Sequence, residues 1–479
     1  VFRTTISQNQ RKLRRFFPVQ KIDAGTNAIT TKGTKTAFFE CFVSFVVYIL
    51  VAAPLRQVFR VFRGSNKSKE ITMHRIVMGL WIIAALFGFT PSPEIPAASP
   101  DYRFDGSISR PVLENYLARA ITESDLLNGK GNTDDNIRML KNVGAKFIGR
   151  AMITWAREGE LREVLARAPE TIRKLHAADP DIIVQGTAFE IVTQQVDSLP
   201  VPDWVFKEFG QPVETRNFRY DAMLYPDGHF KGHWGRQGSV PDMSQLETRM
   251  WFFYLVAAQI DAGIEAIHFG QIELMDKNDP NHTHWRDLLT RTRAYAAHHA
   301  RRHFLLCDAH VPSGGFVSDG RLLFDFHSFP LRIDEVPEKP IQGILKMGYL
   351  DSLFGRSKGG VTPSGWTCES LPFLVELDNF GSSRREGQNI GEHWIWGYDE
   401  ISWFAHLSES ERNAWLRYAW NWVREHDRNG YLEMPGSRQL ASPVEGKRWY
   451  WANTASPAVP DGFNQEETIK AIWAGTPAP

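Results

Sequence analysis

Cysteine is scarce: Cys41, Cys307 and Cys368 are the only three in 479 residues. They make no disulfide framework and no metal-binding spacing, which excludes a stapled fold and a thiolate zinc site. The chain has no phosphate-cradling Walker loop, and no glycine-rich dinucleotide fingerprint follows a strand. No internal repeat recurs at a period of roughly 20–50 residues. Gly355-Arg356-Ser357-Lys358-Gly359 has the spacing of a nucleophile elbow, but Gly360, Pro363 and Gly365 follow where that turn needs a helix. Net charge is also absent overall, though unevenly so. Residues 1–98 carry 14 Lys/Arg against 4 Asp/Glu, leaving 41 against 51 in the remainder. An acidic body argues against nucleic acid as a partner.

Hydrophobic residues make up 43% of the chain, ample for a large core, and its 16 Trp are many. Residues 1–72 are set aside as upstream or membrane-proximal sequence. Ala37–Leu55 is mostly apolar, but Glu40 interrupts it and Pro54 stands near its end, which makes it marginal as a membrane span. Met73, His74 and Arg75 open a second pattern, an apolar run from Ile76 to Phe89, then prolines and Ala97-Ala98-Ser99. A charged start, an apolar core and small residues predict a secretory signal over 73–98, or an anchor if it is not cleaved. Export is therefore expected, with membrane association through these segments as the alternative. The body, 100–479, reads as one domain.

In that body, apolar strand candidates alternate with amphipathic helices, the pattern of a (β/α)8 barrel with long loops at its C-terminal face. Strands are expected at Tyr102–Ser107, Lys146–Trp155, Asp181–Glu190, Ala266–Met275, His303–Asp308, Arg321–His327, Leu371–Asn379 and Gly430–Met434. A helix is expected from Pro111 to Leu127, and Pro169 should kink or split the helix over Glu160–Ala178. Ser244-Gln245-Leu246-Glu247 has the form of a capping box, and Ser408 that of a cap for Glu409–His426.

The chemistry-bearing residues stand at strand ends. Leu371–Asn379 ends in Glu376 and Asp378, the fourth strand carries Glu273, and the third ends in Glu190. Glycoside hydrolysis needs two carboxyl groups, one to protonate the leaving oxygen and one to attack the sugar or activate water. Glu273 and Glu376 are the expected pair, with Glu190 and Asp378 in reserve. Trp155, Trp234, Trp394, Trp396 and Trp403 are expected to stack on sugar rings or pack the core. Asp105, Asp308 and His310 are expected beside the substrate.

The order of these acids resembles secreted bacterial glycosidases of the retaining type on (β/α)8 barrels. In that group the fourth strand supplies the acid/base and the seventh the nucleophile. The resemblance covers roughly residues 100–435 and rests on strand order. Those families often place Asn before the acid, whereas Gly270-Gln271-Ile272 precedes Glu273 here. It implies a carbohydrate substrate and no cofactor. Two alternatives remain open: a metal-dependent hydrolase using Asp308/His310, Asp325/His327 and His282/His284, and a barrel that binds carbohydrate without cleaving it.

Overall fold

A computed structural model describes residues 100–235 and 237–475. The expected signal or anchor and the apolar run before it lie outside the described residues. Among the described residues no helix is long and apolar enough to cross a membrane.

The chain is an α/β barrel of the (β/α)8 type. Its strands are β1 (Ala120–Glu123), β2 (Phe147–Met152), β3 (Ile183–Thr187), β4 (Ala266–Gln271), β5 (Leu306–His310), β6 (His327–Pro330), β7 (Phe373–Glu376) and β8 (Gly430–Leu432). Each pairs in parallel with the next. The ring closes through one continuous stretch of chain. β8 pairs with β7, Glu433 intervenes, and β9 (Met434–Val444) pairs at its start with β1, Met434 opposite Ile121. The far part of β9 folds back antiparallel on β10 (Lys447–Trp451).

Helices α1 (Arg110–Leu117), α2 (Thr133–Val143), α3 (Leu161–Ala178), α4 (Leu246–Asp261), α5 (Thr283–His299), α6 (Glu400–His406), α7 (Glu409–His426) and α8 (Glu466–Ala474) supply the outer layer and one end plug. No helix separates β5 from β6 or β6 from β7. Short strands from those two connections make a separate four-stranded sheet instead.

Alternate residues of a barrel strand face inward, and here they form two layers of opposite character. The lower layer is apolar: Ala120, Phe147, Ile183, Ala266, Leu306, Phe326, Leu374 and Tyr431 cluster with Leu113, Tyr116 and Leu117 of α1, which plugs the N-terminal end. Two residues further along each strand stand Thr122, Gly149, Gln185, His268, Asp308, Ser328, Glu376 and Glu433. Every side chain in this second layer is polar except at Gly149, and each is at least 96% buried. The outward residues between, such as Ile121, Val184, Ile267 and Val375, join the large cluster under the helices.

Three expectations are corrected. Tyr102–Ser107 is not a strand. It covers the barrel's N-terminal end, and the first strand is Ala120–Glu123, inside the stretch expected to be helical. Arg321–Leu322 belongs to the small sheet, so the sixth strand begins only at His327. The capping box at Ser244 does not form, because the Glu247 carboxylate is committed to Arg216 and to the Arg219 N–H. By contrast Ser408 and Glu411 do form a capping box on α7. Helix α3 runs through Pro169 without a break.

The apolar layer predicts a stability effect. Leu374→Ala should cost ~2–5 kcal/mol, since a buried leucine is replaced by a cavity the sealed barrel cannot collapse. Urea denaturation checks it. A loss below ~1 kcal/mol would mean that the layer is not packed as described.

Candidate active site

Glu376 ends β7 in the polar layer and is only 2% exposed. An isolated carboxylate at that depth would stay protonated. Three neighbours prevent it. Arg438 Nη1 donates to Oε2 at 2.8 Å, Arg150 donates to Oε1, and His310 Nε2 lies 3.1 Å from Oε1. Burial pushes the Glu376 carboxyl up, but the charges of Arg150 and Arg438 outweigh it and hold the group well below the usual carboxylate range. Arg438 also pairs with Asp378, two residues along. Two guanidinium groups thus face two carboxylates in one buried cluster.

Arg150 reaches this cluster by an irregularity. Gly149 is the inward residue of β2, so strict alternation would send Arg150 outward into the apolar layer. Its φ is 55°, in the left-handed region, and the β2–β3 register shifts between Ile148 and Met152. This bulge re-aims the side chain inward. The missing side chain at Gly149 is equally necessary, because a Cβ there would lie 1.8 Å from Glu433 Oε1.

The other titratable side chains of the layer are pushed toward their neutral forms. Asp308 accepts from Gln185 Nε2 at 2.6 Å and Ser328 Oγ at 2.7 Å, and lies 2.7 Å from His268 Nδ1. Burial pushes Asp308 up to about 7. Burial, with the charge on Glu376 adding to it, pushes Glu433 up to about 8. His268 is held well below its ordinary value by burial and by Arg150.

Glu190 follows β3 but sits over the end of β4. Its Oε2 accepts from the Gln271 N–H at 2.8 Å, and a Cβ on Gly270 would lie 1.9 Å from it. Burial pushes Glu190 up to about 7, against the Gln271 N–H and the field of Arg150. Trp234 Nε1 donates to the Glu190 carbonyl at 3.0 Å. Trp155, half-buried, packs edge-on against Trp234 and Phe189, and Arg150 lies over the Phe189 ring. A second aromatic run starts at Phe329 beside His310. Arg332 lies over Phe329 and Phe380, and Phe380 packs on Trp394.

The tryptophans of the Trp394–Trp403 segment differ in role. Trp403 is fully buried and its Nε1 donates to the Ile341 carbonyl at 2.6 Å, so its place is in the core. Trp396 is 7% exposed and is tied to the Gln342 carbonyl. Trp394 is half-buried and keeps part of its ring open. Asp105 is exposed and pairs with His303, just before β5. That is the N-terminal end of the barrel, opposite Glu376, so the expectation of substrate contact there is corrected. Glu273 lies in the short helical turn after β4, where it accepts from the Ser313 N–H at 2.8 Å and lines a separate cavity. Among the described residues, the side-chain hydrogen bonds of Glu273 and Glu376 share no partner.

Arg150, Arg438, Gln185, His268, Ser328 and Glu433 were not anticipated. For four of them a signal exists: Gln185, His268, Ser328 and Glu433 interrupt apolar strands at every-second positions. Arg150 and Arg438 carry no such signal.

Among the described residues, His310, Glu376 and Asp378 have donor atoms within 4.8 Å of one another, close enough for a metal ion. Two guanidinium groups already hold those carboxylates, so a cation would have to displace Arg150 or Arg438. The other His/Asp pairs are committed elsewhere, Asp325 to Arg293 and His327 to Ser357.

Glu376→Gln should cost ~3–5 kcal/mol by leaving buried guanidinium groups underpaired. The sign with pH follows from the lowered pKa. The native contribution of Glu376 is present above its ordinary value of 4.5 and is lost as pH falls through its depressed folded value. Denaturation midpoints against pH should therefore fall less steeply on the acid side in the variant. Equal slopes would contradict the ion cluster.

No protein-family model and no curated protein matches the chain. Among solved structures, it is similar to the native form of the Nostoc punctiforme debranching enzyme, at 12% identity over 73% of this chain and 70% of that one, with a TM-score of 0.37. A second structure of that enzyme gives 10% identity, 75% and 80% coverage and a TM-score of 0.38. Endo-glycoceramidase II from Rhodococcus sp. in an iminocyclitol complex gives 12% identity, 74% and 78% coverage and a TM-score of 0.34.

Proposed function

We propose that this chain is an exported glycoside hydrolase in which Glu376 is the ionised carboxylate and Glu190 the proton donor. One observation carries the reading. Two carboxyl groups near Arg150 at the carboxyl ends of the strands have opposite protonation, Glu376 held ionised and Glu190 holding its proton up to about 7. Cleavage of a glycosidic bond asks for that division of roles. A Glu376 oxygen bonds to the anomeric carbon as the glycosidic C–O bond breaks, and the electron pair stays on the leaving oxygen. Glu190 gives that oxygen its proton, then takes one from the water that releases the sugar from Glu376. Glu190 takes the role that strand order suggested for Glu273, because it is the carboxyl lying over the end of β4 and acted on by Arg150 and Asp378. Half-buried Trp155, Trp234 and Trp394 supply faces on which sugar rings stack. Export is supported by the pattern over 73–99. N-terminal sequencing of secreted protein should begin near Ser99, and a mature chain retaining Ile76–Phe89 would count against it.

Hydrolysis of a polysaccharide and aryl-glycoside panel tests the mechanism. Glu376→Ala should abolish turnover. Glu190→Gln should slow unactivated glycosides ~10²–10⁴-fold and spare substrates with good leaving groups. Wild-type kcat/KM should fall as pH rises through about 7, where Glu190 loses its proton, and Glu190→Gln should lose that limb. Near-normal turnover of an unactivated glycoside by both variants would remove both residues from the mechanism.

A further inference from the structure

The connections on either side of β6 contain no helix, and beside α5 they leave a pocket of about 360 Å³. Three guanidinium groups line it, Arg286 and Arg293 from α5 and Arg321 from the small sheet. Seven residues are two helical turns, so Arg286 and Arg293 share one face of α5. Arg321 is placed by a tight hairpin. Val317–Ser318 pairs antiparallel with Arg321–Leu322, and Asp319 and Gly320 between them take left-handed φ values of 51° and 73°, as a two-residue turn of this kind requires. Val361, from the connection after β6, pairs with Arg321 and extends the wall.

The three arginines are held differently. Arg293 is anchored: its Nη2 donates to the Leu323 carbonyl at 2.9 Å and to Asp325 Oδ2 at 3.0 Å, while 22% of its side chain stays exposed. Arg286 is 48% exposed and reaches only Ser318 Oγ at 3.3 Å and Asp319 Oδ2 at 3.4 Å. Asp319 is 89% exposed, so water screens that pair and it contributes little. Arg321 is exposed, and its side chain has no ion-pair or hydrogen-bond partner among the described residues. Asp319 is the one carboxylate in the lining. Residues 99–479 carry 51 acids against 41 Lys/Arg, so three arginines against one aspartate run opposite to the charge of the body.

We propose that this pocket binds an oxyanion group, a carboxylate, sulfate or phosphate, carried by a small organic molecule. A guanidinium offers its N–H donors in a planar fork that matches the spacing of such oxygens. Arg286 and Arg321 have few or no protein contacts to give up and turn to the ligand, and Arg293 adds a charge fixed in place by Asp325. Partly exposed Val361 and Pro363 offer contact to the uncharged part of the molecule. The volume lies within the ~300–1,000 Å³ usual for small-molecule pockets. Asp319 competes with the ligand for Arg286, so its charge opposes binding. The proposal is independent of the glycoside reading.

The test is calorimetric titration of the full chain with sodium acetate, glucuronate, sulfate and phosphate, at an ionic strength held constant with sodium chloride, and with glucose as the neutral control. At least one anion should bind saturably and glucose should not bind at this pocket. Preference for acetate and glucuronate assigns a carboxylate, and preference for sulfate or phosphate assigns a tetrahedral group; either supports the proposal. The double variant Arg286→Ala/Arg321→Ala should weaken the best anion by about tenfold or more, as expected for lost hydrogen bonds to a charged group. Asp319→Asn should act in the opposite direction and tighten it. All three positions are on the surface, so these variants carry little risk to folding, and a thermal melt of each checks it. No saturable binding of any of the four anions overturns the proposal, and so does a folded double variant that binds as tightly as the wild type. Neither result touches the roles of Glu376 and Glu190, which the glycoside panel decides.

Discussion

A negative charge buried inside a barrel has to be matched there, and the Arg150–Glu376–Arg438 cluster does this. Placing an ion pair in the interior is expensive, because each ion gives up hydration that attraction alone regains only with good geometry. Here the geometry comes from three strands at once. β7 delivers Glu376, the bulge in β2 delivers Arg150, and the strand that closes the ring delivers Arg438. The closing strand therefore has two roles: in one stretch with β8 it completes the ring against β1, and it carries one of the two guanidinium groups over the barrel mouth.

The polar layer follows from that cluster. With Glu376 ionised, ionising a second carboxyl nearby would set like charges together in a low dielectric. Glu433 accordingly keeps its proton well above the usual range, with Asp308 following under burial. Below this layer the barrel is sealed by apolar side chains and α1, which keeps water from reaching the ions from the far end. The interior thus changes from apolar to polar along the strand direction, and protonation is sorted by position.

At the mouth, residues that follow the strand ends provide two aromatic groups, Phe189, Trp155 and Trp234 in one and Phe380 and Trp394 in the other. Where helices are missing on either side of β6, loops and a small sheet take their place. The segment after β4, the loop after β5 and Lys358 of the connection after β6 line a second polar pocket.

The sequence alone determined the fold class, because six of the eight strands and the helices around them follow from side-chain periodicity within each segment. It placed Glu376 on the seventh strand and Ser408 at the head of α7 for the same local reason. It could not place β1, since Ala120–Glu123 is four residues long and acquires strand form only by pairing with β2 and β9. Nor could it separate Trp394 from Trp396 and Trp403, which differ in burial through contacts with residues tens of positions away. Tertiary structure alone decided that Arg150 turns inward, that Arg438 meets Glu376 from 62 residues away, and that Glu190 lies over β4 although it follows β3. The physical reason is register: periodicity says which face a residue takes on its own strand, while the neighbour it meets depends on how the strands are staggered and where a bulge shifts them.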